Sequence, residues 1–85
     1  MYNYGTERPD LFTEKGQRMF LEIRDRVKAQ LKHAGAVRML EAVAGMPGDS
    51  WAMLACVDRM VELGELREIT DSDVAGQHRV FVEQR

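Results

Sequence analysis

The feature that most constrains this chain is the run Gly45-Met46-Pro47-Gly48 between two stretches of helical apolar spacing. Glycine admits dihedrals closed to other residues, and proline blocks helical continuation, so a continuous helix across this run is excluded. Upstream of it the spacing predicts a short helix from about Ala36 or Val37 to Ala44, with Val37, Leu40, Val43 and Ala44 inward. Downstream, Asp49 or Ser50 is placed to cap a longer helix that Gly64 closes. Met53, Cys56, Val57 and Met60 fall on one face of that helix, with Trp51, Ala55, Asp58 and Glu62 opposite. A first helix is expected between Thr13 as N-cap and Gly35 as C′ residue. Gly16, Phe20, Ile23, Val27, Leu31 and Ala34 lie on its inner face, and Glu22 stands four residues before Arg26. After Gly64, residues 65–70 and 77–82 read as strands joined by a turn-rich segment, 71–76, that includes Asp71-Ser72-Asp73.

Residues 1–12 read as an N-terminal arm preceding one domain at 13–85. Gly5 and Pro9 oppose a helix there, and Tyr2 and Tyr4 alternate as on an extended segment. They are expected either to pack on their own domain or to reach a second subunit. Eighty-five residues suit a single small core. Met39, Met46, Met53 and Met60 recur every seven residues, but Met46 lies in the turn, so the period cannot follow one helix. They read as core filling. The lone cysteine, Cys56, cannot form an internal disulfide, no apolar run is long enough to span a bilayer, and the N-terminus lacks the pattern of a secretory signal. A cytoplasmic location without membrane contact is the expectation.

The formal charge of −2 hides an asymmetry. Between Lys15 and Arg38 seven bases face two acids, whereas from Met39 onward nine acids face four bases. The first helix is thus basic and the remainder acidic.

Short helix, tight turn, longer helix and hairpin together give the order of a helix-turn-helix with a wing. The run Cys56-Val57-Asp58-Arg59-Met60-Val61-Glu62-Leu63-Gly64-Glu65-Leu66 resembles the end of the recognition helix and the first wing strand of MarR-like winged-helix regulators. Gly45-Met46-Pro47-Gly48-Asp49-Ser50 resembles their turn, and the likeness covers residues 36–82. The chain is also similar to a group of short bacterial winged-helix proteins, a likeness that implies no activity. The resemblance implies an α+β winged helix, three helices with a C-terminal two-stranded wing. It also implies binding of double-stranded DNA, with the third helix in the major groove. Ser50, Trp51, Arg59, Arg67 and Arg79 are the DNA-binding candidates, and Arg24 and Lys28 on the basic first helix are alternative phosphate contacts. The outward stripe of the third helix departs from a reading helix, since Asp58 and Glu62 accompany its single arginine and the wing tip carries no base.

A second use is protein interaction or homodimer formation without DNA reading. It rests on Trp51 and Leu54 near the start of the third helix and on Tyr2 and Tyr4 in the arm. No catalytic residue, metal ligand set or cofactor motif is assigned. His33 and His78 stand alone, and Cys56 is expected to be a buried thiol.

Overall fold

The computed structural model describes residues 1–71 and 73–84. Ser72, read as part of the wing turn, and Arg85, read as the end of the domain, lie outside the described residues. The chain is α+β. Helix α1 (Tyr4–Glu7) runs into a 3-10 turn (Arg8–Phe12). Helix α2 (Glu14–Ala34), strand β1 (Val37–Arg38) and helices α3 (Met39–Val43) and α4 (Ser50–Glu62) follow. Strand β2 (Leu66–Glu68), a 3-10 turn (Gly76–His78) and strand β3 (Val80–Glu83) complete it. Among the described residues no helix is long and apolar enough to cross a membrane.

Both ends of α2 follow their side chains. The Thr13 hydroxyl oxygen accepts from the Gly16 amide at 3.0 Å, and Gly35 closes the last turn by donating to the Leu31 carbonyl. Ile23 and Val27 are fully buried, with Phe20 and Leu31 packed beside them. Ala34, expected inward, is exposed at the end of the helix. Arg26 does not pair with Glu22. Its guanidinium donates to the Ala42 carbonyl at 3.1 Å and ties α2 to α3.

The second helix starts later than its spacing suggests. Val37 and Arg38 are a strand, paired antiparallel with Phe81 and Val80. A β-branched valine facing Phe81 completes the core better than it would extend a helix. The helix that begins at Met39 therefore turns Met39 and Ala42 inward and leaves Leu40 exposed. In the turn after it, Gly45 and Gly48 take φ values of 73° and 120°, as only glycine does without strain. Asp49 then caps α4 by accepting from the Trp51 amide at 2.9 Å.

The hairpin is part of a three-stranded antiparallel sheet in the order β1-β3-β2. Leu66 faces Glu83, Arg67 faces Val82 and Glu68 faces Phe81 across β2 and β3. Phe81 is thus flanked by both neighbours and fully buried. Around it lie Met39, Met53, Cys56, Val57, Met60 and Leu66. The inward face of α4 is the expected one. Its opposite face is not open, because Ala55, expected outward, is also fully buried.

Candidate functional site

The cover on Ala55 is the N-terminal segment. Asn3 caps α1 through its side chain, which accepts from the Thr6 amide at 3.2 Å, and Pro9 enters the first turn of the 3-10 helix, where its missing amide costs nothing. The expected extended arm is therefore a folded strap, and its two helix breakers sit where short helices accept them. Leu11 anchors it in the core. Gly16 lets it cross α2 closely: a Cβ there would stand 2.0 Å from the Asp10 carbonyl oxygen.

The strap meets α4 through polar groups. The Tyr2 hydroxyl donates to Asp58 Oδ2 at 2.6 Å and the Tyr4 hydroxyl to Glu62 Oε1 at 2.7 Å. Arg8 and Arg59 both bind Glu62, at 2.9 and 2.7 Å. Their guanidinium groups lie over the Phe12 ring at 5.0 and 5.1 Å. Hydrogen bonds from Tyr4, Arg59 and Arg8 pull the Glu62 carboxyl down to about 2. Burial, followed by the bond to Glu62, pushes the Tyr4 phenol up to about 12. Tyr2 is raised further by the same two causes, with Asp58 as its partner.

Arg79 holds the other side of this network. It binds Asp58 at 2.8 Å and Glu68 at 2.7 Å, and its guanidinium lies over Phe81 at 5.1 Å. Burial disfavours its charge, but the two carboxylates outweigh burial and keep it firmly protonated.

These contacts decide where the candidate residues stand. Arg59 and Arg79 turn their donors toward carboxylates of their own chain. Arg24 and Lys28 on α2 meet Glu65 at 2.8 and 3.5 Å. Burial raises the Glu65 carboxyl, but Arg24 and Lys28 outweigh that and leave it lowered. Tyr2 and Tyr4 point into their own domain. Arg67 is exposed on the outer face of the sheet, on the side of Arg38, Val80 and Val82. Ser50, Trp51 and Leu54 come together in an open groove of about 900 Å³, with Leu40 and Val43 from α3 and Val74 from the β2–β3 connection. Trp51 is 41% exposed there. Cys56 is buried, and burial alone raises its thiol to about 12, the reverse of an activated nucleophile.

Tyr2 and Tyr4 pack on their own domain, one of the two outcomes expected for them, but the helical form of residues 4–12 and their cover over α4 are not what the sequence reading expects. The strap's traces in the sequence are Tyr2 and Tyr4 on one side and, on the other, Asp58 and Glu62, one helical turn apart on α4. Comparison with known proteins finds no matching family model, no matching curated protein and no matching solved structure.

Proposed function

We propose that this chain is a non-catalytic winged-helix module that binds a protein partner through the groove at the start of α4, without reading DNA with that helix. The order α2–β1–α3–α4–β2–β3 and the sheet order β1-β3-β2 support the winged-helix reading. The observation that carries the function is the closure of α4. The face that would enter a major groove lies under residues 2–12, with Ala55 sealed and Asp58 and Glu62 bound to tyrosine and arginine. The groove beside it keeps a tryptophan and two leucines within reach of solvent, the kind of anchor that dominates protein interfaces.

A photoreactive amino acid at position 51, compared with one at exposed position 33, tests this reading in lysate of the native host. One defined protein adduct at 51, lost when Leu40→Ser is added, is the expected result. A duplex-DNA titration provides the counter-arm, because Arg38 and Arg67 are exposed on the outer sheet face. Salt-sensitive duplex binding abolished by Arg67→Glu, with no adduct at position 51, would overturn the proposal.

A further inference from the structure

The sheet has two edges, and the backbone treats them differently. The order β1-β3-β2 leaves β1 and β2 outermost. In β1, Val37 pairs with Phe81 and the Met39 amide donates to the Arg79 carbonyl, so Arg38 between them turns its amide away from β3. The Glu41 carboxylate accepts from that amide at 3.0 Å, and α3 begins at the next residue. This edge is closed. In β2, the Ile69 amide donates to the Val80 carbonyl at 2.9 Å, and the Glu65 carbonyl accepts from the Gln84 amide at 3.1 Å. Glu65, Arg67 and Ile69 therefore bond β3, and Leu66 and Glu68 turn their amides and carbonyls outward. Among the described residues no hydrogen bond takes these outward groups. They form the open edge of the sheet.

The side chains along that edge set what fits beside it. Arg67 and Ile69 lie on the outer face and both are exposed, Ile69 by 51%. Arg8, Arg18, Arg24, Arg59 and Arg79 each bind a carboxylate, and Arg26 binds the Ala42 carbonyl. Among the described residues no carboxylate pairs with Arg67. An added strand places its side chains about 5 Å from those of β2, so an acid belongs opposite Arg67 and an aliphatic residue opposite Ile69.

A second copy does not meet these conditions. Two-fold pairing through all the outward groups sets Leu66 against Glu68, and Arg67 then faces its own counterpart, where like charges destabilise. A shift one way sets Glu68 against its own counterpart. A shift the other way runs into Gly64, whose φ of 78° turns the chain out of the strand.

We propose that β2 takes an extended peptide of a partner protein as an added antiparallel strand, with an aliphatic residue opposite Ile69 and an acidic residue two positions later opposite Arg67. Backbone bonds to Leu66 and Glu68 attach the peptide, and the two side chains select it. The inference goes beyond the Trp51 groove and does not depend on it.

Nuclear magnetic resonance titration of the isotope-labelled full chain tests this with a blocked peptide, acetyl-Thr-Val-Thr-Glu-Val-Thr-amide, and its counterpart with lysine in place of glutamate. The glutamate peptide is expected to shift the Leu66 and Glu68 amides and to slow their exchange with solvent. It should bind about fivefold more tightly than the lysine peptide, and Arg67→Glu should reverse that preference. Circular dichroism confirms that the variant folds; if it does not, Arg67→Gln replaces it and should abolish the preference. Unmoved Leu66 and Glu68 amides at millimolar peptide overturn the proposal, as does equal binding of the two peptides by the wild-type chain. Shifts confined to Leu40 and Trp51 overturn it too, because the peptide then occupies the groove. Exchange at Leu66 and Glu68 that slows with chain concentration alone assigns the edge to a second copy and overturns it. Slowing by duplex DNA in place of either peptide has the same consequence.

Discussion

The two long faces of α4 are both covered, by opposite chemistry. Its inward face places Met53, Cys56, Val57 and Met60 against Phe81 and Ile23, with no polar atom to satisfy. Its outward face is covered by hydroxyls, carboxylates and guanidinium groups around a single buried alanine. Apolar burial is non-directional and tolerates adjustment, whereas the polar cover depends on bond lengths and charge states. The first holds the fold together; the second decides what α4 shows to the outside.

Truncation on the inward face should have the largest effect. Phe81→Ala removes the ring enclosed by both outer strands and is expected to cost about 3–5 kcal/mol in a urea titration, a large share of such a domain's stability. A loss below about 1 kcal/mol would show that the sheet is not the centre of the core.

Gly16→Ala comes next. The added methyl meets the Asp10 carbonyl, so the strap must lift or α2 must shift, at a cost of about 1–3 kcal/mol. Amide exchange in residues 2–12 should accelerate more than exchange in α4. Equal acceleration in both would mean that strap and core open as one unit.

Asp58→Asn tests the joint between the two covers. It takes one carboxylate from Arg79 and the charged acceptor from Tyr2, for about 1–3 kcal/mol. The double variant with Tyr2→Phe should cost less than the sum of the two single changes, because they share a bond.

The smallest change is expected with pH. Glu62 titrates near 2 in the folded chain against an ordinary value of 4.5. A depressed carboxyl stabilises fully above its unfolded value and loses that effect as pH falls through its folded value. Exchange in the strap should therefore rise relative to the core between pH 4.5 and 2, and Glu62→Gln should flatten this rise.

The parts of the fold that the sequence reading anticipated are those set by neighbours along the chain. Thr13, Gly35 and Asp49 act on amides and carbonyls within four residues, so the ends of α2 and the start of α4 could be read directly. The repeat of Met53, Val57 and Met60 likewise reports one helix and its buried face. Strand β1 has only two residues and exists because Val37 meets Phe81, far along the chain. The strap is bound through contacts 56 and 58 residues apart, and no local pattern carries those. The groove was only partly visible. Trp51 and Leu54 mark its helical side, but Leu40, inward by spacing, is exposed because the strand at Val37 and Arg38 shifts the phase of α3.

Cys56 lends the molecule a reporter of its own. A thiol sealed in the core with a raised pKa does not meet a water-soluble alkylating reagent while the chain stays folded. Labelling at this one atom then counts the openings of the central helix, and its rate keeps time for the whole domain without an introduced probe.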